Sequence, residues 1–342
     1  MASQDTLPRR VDRLLDVHGR RITYVRLSVT DRCDLRCRYC MAEDMQFVPR
    51  RELLTLEELA ELADILISRG VRRIRLTGGE PLVRRNLLRL VEAIGSRIGA
   101  KGDGGLDELT MTTNATQLAP VAGALFGAGM RRINVSLDSL DPERFRSITR
   151  RGELDRVLGG IAAAKAAGLK IKINMVALKG LNDSEYGAML RWCGDQDFDL
   201  TLIETMPLGK VEENRIDRYL PLDAVKQQLE QHFTLIPSLH RTGGPARYFE
   251  VKETGAKLGL ITPLTNNFCA GCNRVRVTAT GTIFGCLGHD QNVELRDLLR
   301  SGGRASVDAA LDRLIAGKPR RHEFDVARTE PAVQRHMSVT GG

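Results

Sequence analysis

The chain has 342 residues, 42% hydrophobic and 27% charged, and its 51 Lys and Arg against 43 Asp and Glu give a net charge of +8. This balance is that of a globular protein and excludes an extensively disordered chain. No apolar stretch reaches the ~18 residues of a membrane span and the N-terminus lacks an apolar secretory segment, so we expect a cytoplasmic protein without membrane association. Because only 4% of the residues are aromatic, a nucleic-acid partner is disfavoured, and the charge fits a small anionic substrate.

Six short runs rich in β-branched residues alternate with segments of helical period between about residues 20 and 235. In the first helical segment Thr55 and Glu58 form a capping-box pattern and Gly70 ends the helix. Six strand–helix units in a row predict an α/β protein with a parallel sheet, either open or closed into a barrel. Polar residues gather where these runs end, which is where such proteins bind ligands. The predicted strands are 22–29, 71–77, 108–113, 131–137, 169–177 and 199–205.

The pattern of predicted elements changes after Pro237. Shorter extended runs and two helical segments, 293–299 and 305–315, indicate a smaller second unit. We therefore divide the chain into an N-terminal extension (1–20), a main unit (21–237) and a C-terminal unit (238–342). The polar segment that begins at Lys318 has the composition of a frayed end.

Seven cysteines in a chain without a secretory signal favour ligand or catalytic thiols over disulfides. Cys33, Cys37 and Cys40, here called the first cysteine set, form a CxxxCxxC motif directly after the first predicted strand. Three thiolates within eight residues suit an iron–sulfur cluster that keeps one iron open, whereas a partial zinc site or three incidental thiols is the simpler alternative. Cys193 stands alone in a helical segment and is expected in the core.

With Tyr39 before its last cysteine, the CxxxCxxC motif resembles that of the radical S-adenosylmethionine (SAM) superfamily. The resemblance implies a partial (β/α)6 barrel, similar to a TIM barrel, and a [4Fe-4S] cluster. It also implies one-electron cleavage of SAM, after which a radical takes a hydrogen atom from the substrate. The segment 78–81, Gly-Gly-Glu-Pro, corresponds to the superfamily segment that holds the amino group of SAM. Its glycines allow close backbone approach and its carboxylate can meet an ammonium group.

Cys269, Cys272 and Cys286 form a second cysteine set, with His289 close behind. By spacing alone this is also a Cys3His zinc ribbon, which would make the chain a nucleic-acid or protein adaptor. However, Arg274 and Arg276 follow Cys272 on one face of a predicted strand, where their guanidinium groups could together bind a phosphate group.

The Cys-Asn-Arg-Val-Arg segment, the second cysteine set and the terminal Gly-Gly together resemble one branch of the superfamily, the GTP 3′,8-cyclases. The resemblance implies a second [4Fe-4S] cluster whose open iron meets the guanine of GTP. It further implies the first step of molybdenum cofactor biosynthesis. Another radical SAM enzyme with an auxiliary cluster, such as one that matures a peptide, is the alternative within the superfamily.

The resemblance also implies roles for individual residues of this chain. Arg274, Arg276 and the tail residues Gly341 and Gly342 are expected to be catalytic, and the six cysteines of the two sets are expected to bind metal. Expected contacts to SAM are Tyr39, Gly79, Ser136 and Met206, and expected contacts to GTP are Arg26, Arg75, Thr112, Lys172, Arg274 and Arg276.

One position departs from the branch, since Thr201 stands where an arginine is usual. We hypothesise that Lys210 and Arg215 replace that cation. The implied partners, besides GTP, are a one-electron donor of flavodoxin or ferredoxin type, the next enzyme of the molybdopterin pathway and, in a homodimer, a second copy of the chain.

Overall fold

Six parallel strands form the centre of the fold, and each lies within one of the six predicted runs. They are β1 (Tyr24–Ser28), β2 (Arg73–Thr77), β3 (Glu108–Thr113), β4 (Arg132–Ser136), β5 (Lys170–Ala177) and β6 (Asp199–Glu204). The structure, a computed structural model, describes residues 13–100, 104–211, 215–325, 327 and 330–341.

Helices follow the central strands and cover the outside of the sheet. The first, α1 (Leu56–Ser68), begins at the predicted capping box, in which the Glu58 amide donates to the Thr55 hydroxyl and the Thr55 amide donates to the Glu58 carboxylate. No helix within the described ranges has the length and apolar character that crossing a bilayer requires. The others are α2 (Leu87–Gly95), α3 (Ala122–Gly127), α4 (Pro142–Thr149), α5 (Leu154–Ala166), α6 (Tyr186–Asp195), α7 (Arg215–Arg218), α8 (Leu222–Glu230), α9 (Gly303–Ala316) and α10 (Met337–Thr340).

The C-terminal part of the chain extends the same sheet at both of its edges. On one side β9 (Lys257–Ile261) pairs parallel with β6 and is followed outward by β8 (Arg247–Val251) and β7 (Leu235–Ser238). On the other side β10 (Arg274–Val277) pairs parallel with β1 and is followed by β11 (Thr282–Phe284) and β12 (Asn292–Glu294). The described strands form one sheet with β12 and β7 at its edges, so the barrel is partial, as the resemblance implied. The division between residues 237 and 238 stays a prediction.

One sequence-based expectation for the C-terminal part is half right and another is wrong. The segment 293–299 was expected to be helical, and it is helical from Arg296 onward, with a π-helical turn at Leu298–Gly302. Val293, however, lies in β12 opposite Ile283, because pairing with β11 outweighs the local helical period there. The segment from Lys318 was expected to be frayed, but Lys318 is only 3% exposed and α10 places Ser338 and Thr340 in buried positions. Cys193 lies in the core, fully buried, as expected.

Helix α5 packs closely against the loop that follows β3. A Cβ atom added at the buried Gly160 would clash with the carbonyl oxygen of Ala115, and Ala115 itself adopts a positive φ of 63°. The neighbouring Gly159 is exposed and has open space around its Cα. The absence of a side chain at residue 160 therefore sets how closely α5 approaches the end of β3.

We expect Gly160→Ala to destabilise the protein by about 1–3 kcal/mol, because the added methyl group overpacks this contact. Gly159→Ala is the matched control and should stabilise by up to ~1 kcal/mol, since alanine favours the helix. The midpoint of thermal unfolding of both variants tests this. A Gly160→Ala variant as stable as Gly159→Ala would contradict the packing argument.

Candidate active site

A first cavity opens at the carboxyl ends of β2 to β6. The whole first cysteine set lines it, and these three thiols are unpaired with one another. The polar residues that end the strands therefore converge on the cysteines, as the sequence predicts. Five other residues predicted to contact SAM or GTP also line this cavity: Tyr39, Gly79, Ser136, Met206 and Thr112.

The Gly-Gly-Glu-Pro segment packs tightly against the chain that leads to Cys33. A Cβ atom at Gly78 would lie 2.5 Å from the Thr30 carbonyl oxygen, and one at Gly79 would clash with the Arg32 carbonyl oxygen. The amide of Gly79 donates to Thr30 at 3.0 Å. Only residues without side chains allow this approach, which holds the end of β2 beside the first cysteine set.

Glu80 faces the protein rather than the cavity. Its carboxylate accepts hydrogen bonds from the Thr113 hydroxyl at 2.8 Å and from the amides of Asn114 and Leu82 at 2.6 and 3.0 Å. Burial raises the pKa of Glu80 to about 7, although these hydrogen bonds oppose the shift. These contacts differ from the expected meeting with an ammonium group, since both oxygens join the loop after β2 to the end of β3.

The first cysteine set lies among carboxylates. Burial raises the pKa of the Cys37 thiol, and the charge of Asp138 raises it further. Asp138 is itself buried and accepts from the Tyr39 hydroxyl at 2.7 Å and from the Val176 amide at 2.8 Å. Burial also raises the pKa of Cys40 to about 11. The guanidinium of Arg36 lies nearby and donates to the Cys33 carbonyl oxygen at 2.7 Å, but the pKa values of these thiols stay raised. A metal centre is the partner that converts such groups to thiolates.

A second cavity lies beside the first and shares with it a wall formed by Asn174, Ile203, Met206 and Met337. The whole second cysteine set lines the second cavity. Five cations line it as well, each of them predicted from the sequence to contact GTP: Arg26, Arg75, Lys172, Arg274 and Arg276. Thr112, predicted with them, lies on the first cavity instead, and its buried hydroxyl has no hydrogen-bond partner among the described residues.

The register of the sheet sets three of these cations side by side. Arg26 on β1 lies opposite Arg75 on β2 and opposite Arg276 on β10. Burial lowers the pKa of Arg26 and of Arg75, and together with the charge of Arg274 it lowers the pKa of Arg276 to about 9. Buried charges of one sign are stable only when an opposite charge joins them, so this wall is built to receive an anion.

Lys172 on β5 faces the same cavity and donates to the Tyr248 hydroxyl at 2.7 Å. Burial, together with the positive charges of Arg75 and Arg132, lowers its pKa to about 7. Thr201 on β6 is fully buried, and Lys210 is exposed and lines neither cavity. The structure therefore does not bring Lys210 to the missing arginine's position, and the side chain of Arg215 lies outside the described residues.

The second cysteine set has a cationic environment. Burial alone would raise the pKa of Cys272, but the charges of Arg274 and Lys318 outweigh it and lower this pKa to about 7. His289 does not line the cavity, and its Nε2 lies 3.0 Å from the Arg321 carbonyl oxygen. Within the described ranges, no three His, Cys, Asp or Glu side chains converge on a point that would hold a single metal ion.

The tail of the chain enters between the two cavities. Met337 lines both, and the guanidinium of Arg276 donates to the carbonyl oxygens of Thr340, at 3.2 Å, and Gly341. Gly341 has a positive φ of 79°, and a Cβ atom there would clash with the Thr77 hydroxyl. The structure thus brings Gly341 and Arg276 together, while Gly342 lies outside the described residues.

Comparisons with known proteins match this arrangement. Residues 27–193 match the radical SAM superfamily and residues 198–324 match a family described as Molybdenum Cofactor Synthesis C. The GTP 3′,8-cyclase of Erythrobacter litoralis is 60% identical over 331 residues, which are 96% of this chain and 98% of that protein. That of Agrobacterium fabrum is 56% identical over 332 residues, 96% and 94% of the two chains. This chain belongs to the GTP 3′,8-cyclase family.

Family membership makes the chain a radical SAM enzyme, a class that uses SAM and an iron–sulfur cluster. The first cavity fits these groups, since it combines three free thiols with a glycine loop that brings the backbone close. A solved structure, Streptococcus suis SuiB bound to S-adenosylmethionine, has the same fold, with a TM-score of 0.60, 15% identity and coverage of 94% of this chain and 78% of that one. At that identity the likeness concerns the fold alone.

Several cavity residues were not found from the sequence. His322 and Phe324 line the second cavity with their rings stacked 4.4 Å apart, and Met337 and Ser338 line the shared region and the first cavity. All four belong to the segment expected to be frayed. The only local sign that this segment is buried was the pair of Phe324 and His322. Contacts with distant strands bury it, and the composition of the segment does not record such contacts.

We expect the second cavity to bind inorganic triphosphate with an affinity that falls above pH 7. Below pH 7 Lys172 is already charged, whereas above it Lys172 must take up a proton when the anion binds. One such proton lowers the affinity by at most about tenfold per pH unit. Titration calorimetry of the wild type and of Lys172→Met between pH 6 and 8.5 tests this.

Subtracting the pH dependence of Lys172→Met from that of the wild type removes the contribution of the anion's own titration. Lys170→Met, which removes an exposed lysine of the same strand, is the control. It should follow the wild type. If Lys172→Met kept the pH dependence of the wild type, the assignment to Lys172 would be wrong.

Proposed function

We propose that this chain converts GTP to 3′,8-cyclo-7,8-dihydroguanosine 5′-triphosphate, the first step of molybdenum cofactor biosynthesis. One observation carries the proposal: a cavity lined by five cations shares a wall with a cavity lined by the CxxxCxxC thiols. The family of the chain and the reaction that its relatives' name describes support the same activity.

In the first cavity Cys33, Cys37 and Cys40 would hold a [4Fe-4S] cluster. Tyr39, Gly79, Ser136 and Met206, each of which lines that cavity, would contact SAM. When bound, these groups supply one-electron cleavage of SAM and abstraction of a hydrogen atom from the ribose C3′ of GTP. The protein contributes position and the exclusion of water, because strands and the glycine loop surround the cavity.

In the second cavity the five cations bind the triphosphate through charge-assisted hydrogen bonds. Cys269, Cys272 and Cys286 line this cavity together and would hold a second [4Fe-4S] cluster, which would supply a contact to the guanine. The nearby Arg274 and Lys318 favour the ionised state of Cys272 that such binding requires.

The two cysteine sets lie at opposite ends of the same pair of strands. Cys33 follows the end of β1, whereas Cys272 comes directly before β10, next to the start of β1, where the Tyr24 amide donates to the Asn273 carbonyl oxygen. A five-residue strand spans roughly 16 Å. GTP fits between the two ends, with its ribose near the shared wall and its C3′ and C8 atoms held together, so that the ring closure becomes intramolecular.

The remaining partners also belong to this proposal. A flavodoxin or ferredoxin donates the electron, and the next enzyme of the molybdopterin pathway takes the product. The homodimer likewise stays a proposal.

The direct test incubates the anaerobically reconstituted protein with SAM, GTP and dithionite. We expect 5′-deoxyadenosine and a cyclised GTP product in equal amounts, and about eight irons per chain for two clusters. Formation of 5′-deoxyadenosine without a GTP product would point to another radical SAM reaction, and about one zinc per chain would point to an adaptor.

Deletion of Gly341 and Gly342 should abolish turnover while leaving the iron content unchanged. The physical reason is that Gly341 occupies the narrow space between Arg276 and Thr77, so its removal uncovers the junction of the two cavities. Product analysis and iron assay of the same preparation test this. Gly341→Ala should also lose activity, because its φ and its contact with Thr77 both exclude a side chain. A fully active deletion variant would refute a role for the tail.

A further inference from the structure

Lys318 is a buried cation whose only part in the proposed function is to favour the ionised state of Cys272. It follows the end of α9 and is 3% exposed. Its ammonium group donates to the carbonyl oxygens of Arg274, at 3.1 Å, and Gly285, and it lies 3.7 Å from the sulfur of Cys272. The Lys318 side chain therefore contacts both the segment that contains Cys272 and the segment that leads to Cys286.

The main chain around Lys318 is fixed on both sides. Its amide donates to the Ile315 carbonyl oxygen in the last turn of α9. The buried guanidinium of Arg20 donates to the carbonyl oxygens of Pro319 and Arg320, at 2.7 and 2.9 Å, and to that of Cys269 at 2.9 Å. Arg20 thus ties the backbone after Lys318 to the first residue of the second cysteine set, and the ammonium has little freedom to move away from Cys272.

The partners of Lys318 leave its charge without a compensating anion. Its contacts are two carbonyl dipoles and one sulfur atom, and no carboxylate pairs with it within the part of the chain that the structure describes. A buried ammonium group is costly unless a negative charge lies close to it. The sulfur of Cys272 is the group that supplies this charge when it is a thiolate ligand of a cluster.

The first cysteine set has carboxylates beside it, together with one cation, Arg36, whose guanidinium donates to the Cys33 carbonyl oxygen at 2.7 Å. The sulfur of Cys33 lies 3.9 Å from the Asp34 carboxylate. The carboxylate of Asp138 accepts a hydrogen bond from Tyr39, the residue just before Cys40. Hydrogen bonds to sulfur and nearby net charge set the reduction potential of an iron–sulfur cluster. A cation stabilises the reduced, more negative state and raises the potential, whereas carboxylates lower it.

We propose that Lys318 is a positioning residue for the second cluster, which holds the Cys272 and Cys286 segments together and raises the cluster's reduction potential. This inference rests on the proposed function, because it requires a cluster on the second cysteine set. The ammonium joins the two segments through Arg274 and Gly285, the residues next to or near these cysteines, and acts on the cluster through the Cys272 sulfur.

The test is a redox titration followed by electron paramagnetic resonance of the full-length, reconstituted chain. Cys33→Ala, Cys37→Ala and Cys40→Ala together remove the first cluster, so that the signal comes from the second cysteine set alone. In this background Lys318→Met removes charge and hydrogen bonds, Lys318→Gln keeps hydrogen-bond donors without charge, and Lys318→Arg keeps the charge. Arg320→Met, which removes an exposed cation two residues away, is the matched control.

We expect the midpoint potential to fall in the order Lys318→Arg, Lys318→Gln, Lys318→Met, with Lys318→Arg and Arg320→Met close to the parent. An iron-replete Lys318→Met variant with an unchanged potential would overturn the inference. If Lys318→Met does not retain iron, the comparison of Lys318→Arg with Lys318→Gln decides: a lower potential for Lys318→Gln supports the inference, and equal potentials overturn it.

Failure of the proposed function gives a different result. The parent with alanines in the first set would then lack the about four irons of one cluster before any change at Lys318. That outcome overturns the second cluster itself, and the inference with it, whereas an unchanged potential overturns only the role of Lys318.

Discussion

The crowding of like charges inside the barrel is the constraint on which the site depends. Arg26 lies between Arg75 and Arg276 on three paired strands. Like charges held this close repel one another, and an anion that enters the cavity offsets the repulsion. The parallel pairing of β10 with β1 places Arg276 beside Arg26 and brings the second cysteine set to the same cavity. The cations and the thiols of the second cavity therefore depend on one strand pairing.

The two cavities differ in charge although they share a wall. Asp34, Asp138 and the cation Arg36 lie beside the first cysteine set, whereas the cations Arg274 and Lys318 lie beside the second. The shared wall of Asn174, Ile203, Met206 and Met337 is largely apolar, which limits screening between the two regions.

The sequence predicted the parts of the structure that local pattern controls. The six central strands follow from their β-branched runs, and the capping box at Thr55 begins α1 as expected. It did not reveal the role of Lys318, since a lysine followed by proline and arginines looks like an exposed tail until Cys272 and Gly285 are placed beside it. The helix expected at 293–299 begins late, at Arg296, for the same reason: Val293 pairs with a strand whose position no local pattern records. Which residues contact SAM and GTP rested on family resemblance rather than on pattern.

The pairing of Tyr24 with Arg274 joins residues that lie 250 positions apart in the chain. During synthesis β1 therefore has an unpaired edge until the segment containing β10 leaves the ribosome, and an open edge of this kind invites association with other chains. The strands β1 to β6 can pair in the order in which they are made, so the carboxyl-end cavity forms early. The second cavity forms last, and contacts of such long sequence separation slow its folding.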